Sequence, residues 1–180
     1  MNETSKSRGS PNPKDYEVTI SDYIDVASQA EALGCNIPSG IALLPRNFQT
    51  TTNKSELFHE SSAPTVRTLW RQAGITETPL ESKYERFLTV SEHGLEVWVG
   101  PTILVTAAWL SQNPEVLSVG LGVISEYLAD VFRGLHRRPK VSLSVVVEKG
   151  KGKCRRVEYQ GSVDGLKELP PIIDKLVSND

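Results

Sequence analysis

The chain has 180 residues, of which 38% are apolar, 23% charged and 7% aromatic, and its formal net charge is −2. This length suits one domain and is too short for two full hydrophobic cores. The composition excludes a chain that is disordered throughout, a collagen-like chain and a low-complexity chain. The near-neutral net charge also gives no indication of a general polyanion binder or of an acidic tail.

Residues 1–15 are polar and contain hardly any apolar side chain. They predict a disordered N-terminal lead, without the apolar core that a secretion signal needs. Cys35 and Cys154 lie far apart and fit neither a disulfide framework nor a metal-ligand spacing. We therefore expect a cytoplasmic protein with no metal and no cofactor, and a single domain over residues 16–180.

The first half of the chain predicts strands and helices in alternation. Residues 16–24 begin with the alternation of a half-exposed strand, and Ser21-Asp22 offers a cap for a helix over residues 23–33 that ends at Gly34. Residues 41–44 form a short apolar run between turn residues and predict a short strand. A polar loop is expected over residues 47–55.

The sharpest local signal starts at Ser62, which can cap a helix that has Pro64 near its first turn. Apolar residues then recur at helical spacing, and Gly74 ends the helix. These apolar residues are Val66, Leu69, Trp70 and Ala73. Arg67 and Arg71 share the opposite face. Further on, the apolar runs 87–90 and 95–99 predict a β-hairpin with His93 in its turn. Residues 102–110 fit a strand or a helix.

A long helix is predicted over residues 115–135, with Asn113 as its cap and Pro114 at its start. One seam of this helix is apolar and consists of Leu117, Leu121, Ile124, Leu128, Val131 and Leu135. A second stripe is small and allows another backbone to approach closely; it consists of Ser118, Gly122, Ser125 and Ala129.

A membrane-spanning segment is the alternative for this region, since residues 97–114 and 116–125 carry no charge. Gly100-Pro101 interrupts the first stretch. Glu126 and Asp130 follow the second, and a carboxylate at mid-bilayer costs on the order of 3 kcal/mol. The sequence therefore favours a buried helix over a spanning one.

Residues 141–147 and 155–159 alternate like strands and flank a Lys/Gly turn, which predicts a second hairpin. Residues 166–176 predict a last helix that Pro170-Pro171 breaks or delays. The expected fold class is α+β, with a small mixed or antiparallel sheet and two to four helices. Residues 114–178 form a candidate helix–hairpin–helix subdomain.

Basic residues concentrate between positions 133 and 156, where nine of them stand against one acid, Glu148, for a local charge of +8. Where these side chains converge they would suit phosphates or an acidic protein face; otherwise they are a solvated hairpin and a helix end. The candidate binding residues are Arg137, Arg138, Lys140, Lys149, Lys151, Lys153, Arg155 and Arg156.

No local motif identifies a reaction. His59, Glu60 and Cys154 are nominal candidates for an enzyme whose residues meet only in three dimensions, and the cations around Cys154 would lower its pKa if it were exposed. Glu77 and Glu81 look like ordinary surface charge. The sequence thus provides no positive reason to expect catalysis.

The helix, basic break, hairpin and closing helix of residues 114–178 resemble the small effector-associated constant components of bacterial conflict (defence) systems. The pattern reads Leu-His-Arg-Arg-Pro-Lys-Val-Ser-Leu-Ser-Val-Val-Val-Glu, then Val-Glu-Tyr-Gln-Gly. The resemblance covers about a third of the chain and transfers no functional residue. It implies a non-enzymatic adaptor that works beside an effector in antiviral defence.

Three functional hypotheses therefore remain. The first is an accessory protein with a protein partner, which uses the hairpin and the long helix as its main surfaces. The second is a sequence-independent nucleic-acid-binding protein that uses the basic residues 137–156, with an affinity that falls steeply with salt. The third is a small enzyme without a local motif. Membrane association through the long helix is a further, weaker alternative, and the oligomeric state stays open.

Overall fold

The computed structural model describes residues 15–91, 94 and 96–179; most of the predicted N-terminal lead, and His93, lie outside the described residues. The strands are β1 (Tyr16–Tyr23), β2 (Ile41–Leu44), β3 (Phe58–Glu60), β4 (Leu88–Val90), β5 (Val97–Thr106), β6 (Lys140–Glu148) and β7 (Cys154–Gly161). The helices are α1 (Val26–Ala32), α2 (Ala63–Gln72), α3 (Ala107–Gln112), α4 (Val116–Val131) and α5 (Leu169–Ser178). Two 3₁₀ turns, Lys54–Glu56 and Asp164–Glu168, complete the described part.

The α+β class is confirmed, with five α-helices in the described residues where two to four were expected. The main sheet has the order β1-β7-β6-β5-β2 and is mixed, because β5 and β6 run parallel while the other neighbours are antiparallel. The β6–β7 hairpin lies in the middle of this sheet. The candidate subdomain 114–178 therefore shares its sheet and its core with the N-terminal half.

The predicted hairpin over residues 141–159 is confirmed, and its tight turn explains the Lys/Gly sequence between the strands. Gly150 and Gly152 have φ of 101° and 74°, and Lys151 between them has φ of 52°. Glycine adopts this left-handed region without the steric cost that a Cβ brings. The turn also packs on the start of α1, where the Asp25 carboxylate leaves no room for a side chain at Gly152.

One face of the sheet is covered by α2, α4 and α5 and holds the larger core. The predicted apolar seam of α4 is buried from Leu117 to Leu128. Val131 and Leu135 are half-exposed, because the helix ends at Val131 and the chain turns at Gly134 with φ of 80°. The long helix is thus shorter than predicted, and it begins after Glu115 instead of Asn113.

The other face is covered only in part, by α1 and the segment that follows β2. Apolar side chains of this cover pack on the ends of the strands around Leu104, Val146 and Cys154. The remaining half of this face carries polar side chains on β6 and β7, which are Ser142, Ser144, Arg156, Glu158 and Gln160.

The predicted helices α1 and α2 are both confirmed, but their N-terminal caps differ from the predicted ones. The helix α2 begins after Ser62, but the Ser62 hydroxyl donates to the carbonyl oxygen of Val99 (2.7 Å) instead of capping the helix. The helix α1 starts at Val26, since β1 continues through Tyr23 and the cap is Asp25. Both helices end at a glycine with positive φ, as predicted: Gly74 and Gly34.

The predicted hairpin of residues 87–90 and 95–99 is wrong. β4 instead pairs in parallel with β3, thirty residues earlier in the chain, and β5 pairs with β2 and β6. The ambiguous residues 102–110 divide into the end of β5 and the helix α3. The last helix starts late, with Pro170 and Pro171 in its first turn, as expected. Among the described residues, no helix is both long enough and apolar enough to cross a membrane.

Candidate functional site

The structure divides the candidate basic residues into separate groups. Arg137 and Arg138 precede β6 and Lys140 begins it, whereas Lys149, Lys151 and Lys153 belong to the turn after it. The two ends of β6 are eight residues apart, or about 26 Å at the usual rise of a strand. The basic charge therefore does not converge on one patch.

Arg155 and Arg156 belong to neither group. They are consecutive residues of β7, so their side chains point to opposite faces of the sheet. Arg155 pairs with Asp22 of β1, with Nη1 3.0 Å from Oδ1, and Arg156 pairs with Glu158 on its own strand. These two ion pairs neutralise most of the positive charge that β7 contributes.

The sequence did not single out β1 as a functional element, yet its outer edge is the main exposed feature of the sheet. β1 has eight residues in regular register with β7, and no described strand pairs with its other side. It contains no lysine and no proline, two residues that commonly protect an edge strand, and its charged side chains are Glu17 and Asp22. Its apolar Ile20 is 43% exposed.

The backbone groups that face outward on β1 can be assigned from the ladder. Ser162 donates its N–H to the carbonyl oxygen of Asp15 (3.3 Å), and these residues continue the β1–β7 register. Because bonded pairs alternate along an antiparallel ladder, Thr19 bonds to β7 while the N–H and C=O groups of Val18 and Ile20 point away from it. These outward groups are available to another strand.

The opposite edge of the same sheet is closed. β2 has only four residues, and the carbonyl oxygen of Ile41 accepts from the backbone N–H of Thr78 (2.8 Å) and from its hydroxyl (3.1 Å). The N–H of Leu43 donates to the Glu77 carboxylate (3.4 Å). The segment after α2 thus occupies the edge of β2, and the edge of β1 has no such cover among the described residues.

A groove of about 400 Å³ lies over the polar half of the sheet, next to the β7 strand that β1 flanks. Tyr23 of β1 and the Arg46–Glu60 ion pair (3.2 Å) form two of its walls. Its floor carries hydroxyl groups and charged groups in close alternation, including Thr102, Ser142, Ser144, Arg156 and Glu158. Such a floor can bind a polar main chain and its side chains.

A second constellation lies on the other side of β3. His59 and Glu81 are both buried, with Nε2 2.9 Å from Oε1. Arg67 of α2 donates from Nη2 to Glu81 (3.1 Å) and from Nε to Glu77 (3.0 Å). Since the ionised Glu81 carboxylate can only accept, His59 Nε2 carries the proton and donates it to Glu81, and its 3.3 Å contact with the donor Nη2 of Arg67 adds no bond.

Burial opposes the ionisation of Glu81, but the hydrogen bond from His59 and the charges of His59 and Arg67 lower the pKa of its carboxyl to about 2. Burial also opposes the charge of Arg67, yet the carboxylates of Glu77 and Glu81 raise the pKa of its guanidinium. His59 Nδ1 is buried and has no hydrogen-bond partner among the described residues. Glu81 and Arg67 are thus both ionised at neutral pH.

The structure does not bring together the nominal enzyme candidates His59, Glu60 and Cys154. Glu60 pairs with Arg46 and not with His59, which bonds to Glu81 instead. Cys154 is buried, and burial raises the pKa of its thiol, which is opposite to the lowering expected for an exposed site. The surface role expected for Glu77 and Glu81 is wrong as well, because both bind Arg67.

Sequence reasoning missed this network because its members lie far apart in the chain; Arg67 and Arg71 on one face of α2 were the only local signal. In the described part of the chain, no group of three or more His, Cys, Asp or Glu side chains is placed to hold a metal ion. Comparison with models of protein families, with curated proteins and with solved structures finds no match.

Proposed function

We propose that this protein is a non-enzymatic accessory component that binds a partner protein by strand addition at β1. The observation that carries the proposal is the eight-residue edge of β1, which has outward backbone groups and neither a lysine nor a proline to protect it. Proteins normally block such an edge, since it accepts any compatible strand. An extended segment of a partner would add a sixth strand to the sheet.

The side chains of β1 define the chemistry of the partner segment. Glu17 and Asp22 are exposed near the two ends of the strand, while Val18 and Ile20 share one face between them. Opposite charges on neighbouring strands stabilise a pair and like charges destabilise it. Asp22 already pairs with Arg155, so the partner is an extended segment with a basic residue opposite Glu17 and an apolar residue opposite Ile20.

Pairing of β1 with a second copy of itself is the alternative to a heterologous partner. Opposed residues of an antiparallel ladder are either both bonded or both unbonded to each other, so two β1 strands would pair in registers that oppose their outward residues, such as Val18 and Ile20. Identification of the bound chain distinguishes such a self-pair from a heterologous partner. The resemblance of residues 114–178 to effector-associated components supports an effector of a bacterial defence system as that partner.

Nucleic-acid binding through the basic residues is the competing function. Its weight falls because these residues occupy both ends of β6, and because Arg155 and Arg156 are already paired with carboxylates. A sequence-independent binder gains its affinity from many cations that contact one phosphate backbone together.

The test uses three versions of the full chain, each with a photoreactive amino acid in place of Thr19: the otherwise natural sequence, Ile20→Ala and Ile20→Pro. Both substitutions remove the Ile20 side chain, but only proline removes the outward N–H. Since that N–H does not bond to β7, proline at this edge position leaves the β1–β7 ladder in place. Thermal unfolding verifies that both variants are folded.

The versions are irradiated in their native cells, purified with and without nuclease treatment, and analysed by mass spectrometry. We expect one partner cross-linked from position 19 in the natural sequence and in Ile20→Ala, and its loss in Ile20→Pro. Equal cross-linking in Ile20→Pro contradicts strand addition. Release of all bound material by nuclease, and its loss in the triple variant Lys149→Glu, Lys151→Glu, Lys153→Glu, would establish the nucleic-acid function instead.

A further inference from the structure

A cleft of about 660 Å³ opens between α2 and the segment of residues 77–89, well apart in the fold from the β1 edge. His59, Arg67 and Glu81 line its buried part, and Phe87, Pro64 and Pro79 provide apolar surface. Its volume lies within the usual range of small-molecule sites, about 300–1,000 Å³.

Arg67 is fixed in the cleft. Its Nε and Nη2 atoms bond to Glu77 and Glu81, and both carboxylates are largely buried. Its Nη1 atom is the one guanidinium nitrogen that bonds to no described residue. A guanidinium held by two carboxylates keeps one orientation, so little side-chain entropy is lost when Nη1 binds a ligand.

The opening of the cleft carries uncompensated positive charge. Arg71, Lys83 and Arg86 line it and are exposed, and within the described part of the chain none of them forms a salt bridge with a carboxylate. Arg86 donates to the carbonyl oxygen of Glu85 (3.2 Å), and the Lys83 ammonium lies over the Tyr84 ring at 5.7 Å. With Arg67, four cations line the cleft against two carboxylates.

From this charge, volume and apolar wall we infer that the cleft binds a small phosphate monoester with a planar ring, of about the size of a mononucleotide. The excess of two positive charges matches a phosphate dianion, and arginine recognises phosphate oxygens through paired N–H donors. The half-buried Phe87 ring, whose centroid lies 5.6 Å from that of His59, provides a surface for the ring of the ligand.

The test is calorimetric titration of the full chain with AMP, and with adenosine as the uncharged control, at constant ionic strength. We expect saturable binding of AMP, competition by inorganic phosphate, and adenosine binding that is weaker by about tenfold or more, since charge-assisted hydrogen bonds to the phosphate are lost. Equal affinity for AMP and adenosine, or no saturable binding of AMP, overturns the inference.

Variants locate the binding. Arg71→Ala with Arg86→Ala removes two exposed cations of the cleft and no core residue, so the fold is retained; we expect AMP affinity to fall by about tenfold or more. Arg137→Ala with Arg138→Ala is the matched control, because it also removes two exposed arginines, which precede β6 and do not line the cleft. Equal loss in both variants would mean general charge attraction and would contradict a site in the cleft.

Discussion

His59 of β3 donates from Nε2 to the carboxylate of Glu81, 2.9 Å away and 22 residues later in the chain, and both side chains are buried. Glu81 also accepts from Arg67 of α2, so one carboxylate joins a strand, a helix and the segment between α2 and β4. A buried charge that loses its partner costs about 3–5 kcal/mol. The network of His59, Arg67 and Glu81 therefore holds these three segments together and also forms the buried wall of the proposed cleft.

Glu81→Gln is expected to lower the free energy of unfolding at neutral pH by about 3 kcal/mol, because it leaves Arg67 and His59 without their shared anion. The pKa of Glu81 is about 2 in the fold, below its ordinary value of about 4.5. A depressed pKa stabilises the fold above the unfolded value, and this stabilisation is lost as the pH falls through the folded value. The difference between wild type and variant should thus shrink between about pH 4.5 and pH 2.

Urea unfolding at a series of pH values measures this difference. Glu31→Gln is the control, since this residue is exposed on α1 and its substitution should leave stability nearly unchanged at every pH. A Glu81→Gln effect that stays constant down to the lowest pH would show that the ionised carboxylate does not stabilise the fold.

Local patterns were sufficient to predict the elements that short-range chemistry determines. Ser62, Pro64 and Gly74 delimit α2, and the alternation around the Lys/Gly turn defines the β6–β7 hairpin. The pairing of β3 with β4 carries no such signal, because parallel strands of three residues separated by thirty need the rest of the fold to bring them together. The prediction of a hairpin at residues 87–99 is therefore wrong, because β4 pairs with the distant β3 and not with the strand that follows it.

The candidate site residues also divide into features that a local pattern predicts and features that only the complete fold determines. The positive charge of residues 133–156 is visible in the sequence, but its separation depends on the length of β6. Glu77 and Glu81 have ordinary polar neighbours in the sequence, and only the return of their segment past α2 buries them against Arg67. The exposed edge of β1 depends on the strand order, which period-two alternation does not specify.

Two glycines of α4 are expected to respond oppositely to alanine. A methyl group on Gly120 would lie 3.2 Å from Nε1 of the buried Trp70, which donates to the Gly120 carbonyl oxygen (3.2 Å). Overpacking against this fixed ring should outweigh the helical preference for alanine and lower stability by about 1 kcal/mol. A methyl group on Gly122 meets nothing within 4 Å, so Gly122→Ala should raise stability by up to about 1 kcal/mol.

Urea unfolding of the two variants beside the wild type gives the comparison, and each variant serves as the control of the other. If Gly120→Ala were as stabilising as Gly122→Ala, the close packing of α4 on Trp70 would be refuted.

The two cysteines are expected to resist thiol reagents in the folded protein. Cys35 and Cys154 are both buried, and burial raises the pKa of each thiol above its ordinary value. Because the thiolate is the reactive form, both groups should react only after denaturant unfolds the chain. Timed labelling with iodoacetamide and mass spectrometry measures this.

Ala27→Cys is the control for the labelling, as position 27 is exposed on α1 and its thiol should react at once. Labelling of Cys154 in the folded protein at the rate of that control would contradict its burial. It would support instead the reactive thiol that its basic sequence neighbours suggest.

Alkaline pH should destabilise the protein through a buried phenol. The Tyr159 hydroxyl donates to the carbonyl oxygen of Ser162 (2.5 Å), and burial raises the pKa of Tyr159 to about 12. A raised pKa stabilises the fold below the unfolded value of about 10, and the stabilisation is lost as the pH rises through 12. Tyr159→Phe should therefore lose less stability than wild type between about pH 10 and pH 12.

At about pH 8 the same variant should be less stable than wild type by about 1 kcal/mol, because the hydrogen bond to Ser162 is lost. Unfolding free energies at about pH 8 and about pH 11 separate the two effects, since the loss of the bond acts at both pH values and the phenol titrates only at the higher one. Tyr84→Phe is the control, as Tyr84 is 89% exposed and should change neither value. A Tyr159→Phe deficit that is the same at both pH values would show that the phenol ionises as readily in the fold as in the unfolded chain.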